Sequence, residues 1–146
     1  MKKCKNEAKI IFHSRSVNER LARSIVAAFA AQVDPPVSVL ADLRTAVSEA
    51  VTNAIVHAYP DSIGRICLRA RILESGELEI SIRDWGKGIE DVEMARTPLF
   101  TTGGAERSGM GFTIMESFMS QMRVTSTVGK GTTVYLRRKI VKRGQA

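Results

Sequence analysis

Residues 65–72 alternate strictly: Ile66, Leu68, Ala70 and Ile72 fall on one side of the chain, and Arg65, Arg69 and Arg71 on the other. A period of two is the mark of a half-buried β-strand. Glu74-Ser75-Gly76-Glu77 can turn this strand back, and Leu78, Ile80 and Ile82 then alternate in the same way, so the spacing predicts a β-hairpin. A second hairpin is expected from 123–128 and 132–140 around Gly129-Lys130-Gly131, and a short opening strand at 8–12. Ser16 and Glu19 have the capping-box spacing ahead of an alanine-rich helix that Asp34-Pro35-Pro36 stops. A second helix should run from about Ser38 to Tyr59, and a third from Met110 to Met122. The expected fold class is therefore α+β: a two-layer α/β sandwich, its mixed sheet covered on one face by about three helices.

A chain of 146 residues makes one domain, residues 1–146. No apolar run approaches the ~20 residues that cross a bilayer. The basic start Met1-Lys2-Lys3-Cys4 is not followed by an apolar stretch and cleavage site, so a cytoplasmic protein without membrane attachment is expected. Cys4 and Cys67 lack any metal-binding spacing and read as free thiols. Lys and Arg number 22 against 15 Asp and Glu, a net charge of +7. Aromatic residues are only 5% and are not interleaved with the basic ones, which argues against direct nucleic-acid binding. An acidic protein partner or a solvated surface accounts for the charge.

The second helix carries the first chemical signal. Leu40, Leu43, Val47, Val51, Ala54 and Ala58 form an apolar stripe, and Glu49, Asn53 and His57, each four apart, stack along the opposite edge. A solvated polar face would explain a lone Glu or Asn as well. However, no Lys or Arg occurs between Thr45 and Gly64, in a chain with 22 elsewhere. An edge that avoids cations while presenting a carboxylate and an amide suits Mg²⁺, which takes oxygen ligands and needs few from protein when phosphates are present. His57 by itself reads as a helix-end residue.

Three glycine motifs follow in order. Asp84-Trp85-Gly86-Lys87-Gly88 comes directly after a strand; its glycines permit close backbone approach, and its carboxylate can accept a hydrogen bond from an exocyclic amine such as that of adenine. Arg107-Ser108-Gly109-Met110-Gly111 opens the third helix, where backbone N–H groups suit phosphate and Arg107 a terminal phosphate. Gly129-Lys130-Gly131-Thr132-Thr133 needs no function as a hairpin turn, but Thr133 is placed to point toward the base. Each motif alone is an ordinary turn or cap. Their order is what distinguishes them.

Glu49-x-x-x-Asn53, Asp84-x-Gly86-x-Gly88, Gly109-x-Gly111 and Gly131-Thr132-Thr133 resemble the N, G1, G2 and G3 boxes of the GHKL ATPase superfamily. The run from Ser48 to Tyr59 is similar to the anti-sigma-factor serine kinases. Pro98-Leu99-Phe100-Thr101-Thr102 and the run from Glu106 to Glu116 resemble the branch of that family from spore-forming bacteria. The likeness spans about residues 8–137. It implies a Bergerat fold that binds ATP with Mg²⁺, phosphorylates a serine on an anti-anti-sigma protein, and sequesters a sporulation sigma factor as a homodimer. By matching position Glu49 would be the general base and Asn53 the Mg²⁺ ligand, with Asp84 on adenine and Thr133 nearby. Thr101, Thr102, Arg107, Ser108, Gly109, Met110 and Gly111 would serve the nucleotide under a lid over about 95–108, and Arg23 would contact the protein partners. Two positions depart from the pattern: Trp85 replaces a usual acidic residue, and Gly103-Gly104-Ala105-Glu106 makes a short lid without the usual lysine. A nucleotide-regulated sigma-binding module without transfer, and a stress-response anti-sigma kinase, remain as alternatives.

Overall fold

The computed structural model describes residues 3–97 and 111–141. Its elements run β1 (Cys4–His13), α1 (Val17–Ala30), α2 (Val37–Asn53), β2 (Arg65–Leu73), β3 (Leu78–Asp84), α3 (Val92–Ala95), α4 (Gly111–Phe118), β4 (Gln121–Thr127) and β5 (Gly131–Arg138). The strands form one five-stranded sheet in the order β1-β2-β3-β5-β4. Every pairing in it is antiparallel, which corrects the expected mixed sheet. The physical reason lies in the connections. Two helices in succession, α1 and α2, carry the chain there and back between β1 and β2. The β4–β5 hairpin then inserts its second strand beside β3, keeping β4 at the edge.

The period-two pattern of the hairpins translates directly into burial. Ile66, Leu68, Ala70 and Ile72 of β2, Leu78, Ile80 and Ile82 of β3, and Val134 and Leu136 of β5 are buried against the helices. From α2, Leu43, Ala46, Val47, Ala50 and Val51 meet them, each at most 1% exposed. Burying a Leu, Ile or Val side chain contributes about 1.5–3 kcal/mol, so this one interface is the main source of stability. Among the described residues, helices cover only one face. The other carries Arg69, Arg71, Glu79 and Tyr135.

Four local expectations are revised. The capping box at Ser16 does not form: Ser16 has helical dihedrals and no side-chain cap, because the Glu19 carboxylate is taken by the Ser48 hydroxyl and by Arg23 Nε at 3.0 Å. The second helix is α-helical only to Asn53 and widens into a π-helical turn over Ala54–Ala58. Its last carbonyl, that of Ala58, accepts a hydrogen bond from Lys87 N–H at 3.1 Å instead of continuing the helix. The third helix ends at Phe118 rather than Met122, because Gln121 enters the edge ladder opposite Arg137 and Ser120 N–H donates to the Arg137 carbonyl. The first strand is longer than expected, and β1 pairs along β2 from Cys4 to His13 with one irregularity at Lys5. Asp34 does stop the first helical segment, in a left-handed conformation (φ 50°) before Pro35.

Candidate functional site

Between the C-terminal half of α2, the ends of β3 and β5, and the start of α4 lies a cleft of about 830 Å³. That volume is in the range of small-molecule and cofactor sites. Its floor is apolar, from Ile82, Val134, Ala50 and Phe112, and its polar lining comes from Asn53, His57, Asp84, Lys87, Glu90, Asp91 and Thr132.

At one end sits Asp84, the last residue of β3 and 5% exposed. It falls on the buried side because it continues the parity of Ile80 and Ile82. Its Oδ1 accepts two backbone hydrogen bonds, from Gly86 N–H at 3.0 Å and Thr132 N–H at 3.1 Å. Oδ2 takes no hydrogen bond among the described residues, so the carboxyl presents one committed oxygen and one acceptor for a ligand. Burial pushes its pKa up from the ordinary 3.8, and the two N–H donors oppose the shift without cancelling it. A buried carboxyl held in one orientation is a selective receptor for an amine-type donor such as the exocyclic N–H of adenine.

At the other end the α2 edge meets α4. A side-chain carbon placed on Gly111 would lie 3.1 Å and 3.2 Å from the two amide atoms of Asn53 and 3.2 Å from Glu49 Oε2. Glu49 and Asn53 therefore converge on the first residue of α4, and glycine is what leaves them room. Asn53 and His57 line the cleft; Glu49 stands just outside it, at the rim. The Asn53 amide oxygen, with the Glu49 carboxylate beside it, suits a hard cation whose remaining ligands come from phosphate and water. Among the described residues no group of three or more His, Cys, Asp or Glu could hold a metal without such help.

The other sequence-derived positions divide as follows. Gly88 lines the cleft, and Gly86 supports Asp84 through its N–H. Thr133 is corrected: it lies on the opposite face of the sheet, in a small cavity with Arg69, Arg71 and Tyr135, and its neighbour Thr132 faces the site. The parity of Val134 and Leu136, both core residues, already assigns Thr132 to the cleft side, and this signal was legible in the sequence. Trp85 also points away from the site, stacked between the Arg65 and Arg83 guanidinium groups at 4.6 and 4.8 Å from the ring centroid. Its departure from the family pattern therefore changes the outer face rather than the cleft wall. Arg23 lies on α1 beside Glu19, away from the cleft. Thr101, Thr102, Arg107, Ser108, Gly109, Met110 and nearly all of the expected lid lie outside the described residues.

Two further residues shape the site. The Ser126 hydroxyl accepts Ile89 N–H at 2.7 Å, reaches Thr132 Oγ1 at 2.7 Å and the Gly131 carbonyl at 3.1 Å, and so fixes the wall of the cleft to the β4–β5 hairpin. Tyr59 bonds to the backbone beside Asp84.

The model of the family described as the histidine kinase-like ATPase domain matches residues 12–138. The anti-sigma F factor of Caldanaerobacter subterraneus subsp. tengcongensis is 56% identical over 130 residues, covering 88% of this chain and 90% of the relative. That of Geobacillus kaustophilus is 52% identical over 139 residues, covering 94% and 95%. This chain belongs to the anti-sigma F factor family. As a member of the anti-sigma F factors, it carries the kinase-like ATPase fold over nearly its full length. The fold is shared with solved structures of low identity. The RsbU and RsbW domains of a Mycobacterium tuberculosis protein superpose with a TM-score of 0.69 at 23% identity, over 92% of this chain and 32% of that one. The mycobacterial sensor histidine kinase MprB gives 0.60 at 18%, over 92% and 99%.

Proposed function

We propose that this anti-sigma factor is an ATP-dependent protein serine kinase that holds a sporulation sigma factor and phosphorylates a serine on that factor's protein antagonist. The observation that carries the reading is the pairing of ends in one cleft: Asp84, with one oxygen held by two N–H groups and the other open, and the Glu49–Asn53 edge converging on Gly111. The first recognises an adenine amine; the second suits a triphosphate with its cation.

In this reading Asn53 is the Mg²⁺ ligand, and the ion's contribution when bound is to offset phosphate charge. Glu49, at the rim rather than inside, is reachable by a serine on a second protein. It takes the hydroxyl proton as the serine oxygen bonds to the γ-phosphorus and the bond from that phosphorus to the β–γ bridging oxygen breaks, giving phosphoserine and ADP. Arg23, on α1 away from the cleft, is the partner contact, and the active assembly is a homodimer. No helix among the described residues is long and apolar enough to cross a membrane, and the reaction is assigned to the cytoplasm.

The test is transfer of labelled phosphate from ATP to the antagonist protein, with and without Mg²⁺. Label on a serine, dependent on the ion, is the expected result. Folded protein that binds ATP and partner without transferring label would refute the kinase assignment. Sedimentation of the free chain tests the dimer, for which a monomer at micromolar concentration is the contrary outcome.

A further inference from the structure

The two ends of the cleft come from separate stretches of chain, and something must fix their separation. The contacts that do so gather at Ala58 and Tyr59, at the end of the π-helical turn that follows Asn53. The Tyr59 hydroxyl accepts Trp85 N–H at 2.7 Å and donates to the Arg65 carbonyl at 2.7 Å. The Ala58 carbonyl accepts Lys87 N–H at 3.1 Å, and Gly86 packs so closely on Ala58 that no side-chain carbon fits between them. The π-helical turn thus delivers its last residue, Ala58, and the next one, Tyr59, onto the loop that follows Asp84.

The Trp85 N–H belongs to the same peptide plane as the Asp84 carbonyl. That carbonyl lies against Gly131 (φ 122°), where a side-chain carbon would collide with it. The plane is gripped at both ends, by a hydroxyl at its N–H and by a glycine at its oxygen. With Oδ1 of the carboxyl held by Gly86 and Thr132, Asp84 is anchored through both its peptide and its side chain. Tyr59 does not line the cleft, so it cannot act by touching a ligand there.

We propose that Tyr59 is a positioning residue whose hydroxyl orients the Asp84 peptide and couples base recognition to the helix edge of Glu49 and Asn53. The inference rests on the nucleotide reading above. A space-filling role is the competing account, since the Tyr59 ring packs against Gly64 so tightly that a side-chain carbon there would overlap it. Tyr59→Phe separates the two, because it keeps the ring and removes only the hydroxyl.

The experiment titrates the full chain and Tyr59→Phe with ATP, GTP and inorganic tripolyphosphate in the presence of Mg²⁺, alongside melting curves. The hydroxyl's hydrogen bonds translate into an expected fivefold to tenfold loss of ATP affinity, with the ATP-over-GTP preference falling by about the same factor. Tripolyphosphate, which never reaches Asp84, should bind both proteins alike. Hydrogen exchange at the Trp85 amide of the nucleotide-free protein should accelerate at least tenfold. An unchanged ATP-to-GTP ratio in Tyr59→Phe overturns the positioning role, and so does an equal weakening of all three ligands, the signature of a merely structural effect. If the full chain itself binds ATP no better than GTP, the nucleotide reading fails and takes this proposal with it. Should the variant melt below assay temperature, the unsubstituted protein still decides: a rapidly exchanging Trp85 amide overturns the tether.

Discussion

Replacing Asp84 by asparagine should separate stability from binding, with the two moving in opposite directions. Asp84→Asn keeps an oxygen to accept the Gly86 and Thr132 N–H bonds and turns an amide NH₂ toward the cleft, in the place of Oδ2. The carboxyl's pKa is raised, meaning that burial costs its charged form more than the two N–H donors return. A neutral isostere escapes that cost at neutral pH, so the nucleotide-free variant should melt at the same temperature or higher. Binding behaves differently. A hydrogen bond from the adenine amine to an ionised acceptor contributes about 1.5–3 kcal/mol, and the variant opposes that amine with another donor. At about 1.4 kcal/mol per tenfold, ATP affinity should fall roughly ten- to hundredfold. GTP, which offers a carbonyl where ATP has the amine, should lose less or gain. Calorimetric titration with both nucleotides, beside thermal melts of the free proteins, measures all three quantities. A variant that binds ATP as tightly as the original protein would refute the role given to Asp84. One that loses several degrees of melting temperature while free would refute the burial argument.

Other outcomes follow from the same geometry. Glu49→Gln should reduce phosphate transfer at least a hundredfold while leaving ATP affinity within about twofold, because Glu49 stands outside the cleft; single-turnover assays beside titrations check this. Thr132→Val should weaken ATP binding several-fold by breaking the link to Ser126, whereas Thr133→Val, on the outer face, should leave it unchanged. The pH dependence has a definite sign. Between 3.8 and the raised native value the folded state holds more of the Asp84 proton than the unfolded chain, so this group makes stability decline as pH rises through that window. In the proposed reading ATP binds the ionised form, so affinity should decline as pH falls through the same window, with a proton released on binding there; titration in two buffers of different ionisation enthalpy detects it, and Asp84→Asn should abolish it.

What the chain disclosed in advance, and what it withheld, have separate physical causes. Period-two alternation in β2 and β3 is a one-dimensional signal, and it yielded the hairpin and its core face. The order of the glycine boxes fixed the family, which the identity to anti-sigma F factors bears out. Strand order was not written locally: that β5, and not β4, would pair with β3 depends on edges meeting across the whole fold. The capping box at Ser16 failed because a partner 29 residues away, Ser48, competes for the Glu19 carboxylate. The π-helical turn was invisible for a similar reason, since it answers to Lys87 and Gly86 rather than to its own residues. Thr133 differs from these, since the alternation that buries Val134 already assigns Thr132, not Thr133, to the cleft side.

The walls of the cleft come from distant parts of the chain. Asn53, Asp84, Gly111 and Thr132 lie on α2, β3, α4 and β5, and what joins them is tertiary structure alone. A molecule that spans them acts as a cross-link that the unfolded chain cannot bind. Occupancy and folding are therefore linked functions: above saturation, each tenfold rise in free nucleotide should add about 1.4 kcal/mol to the unfolding free energy. An anti-sigma factor built this way would register the supply of nucleotide in its own persistence.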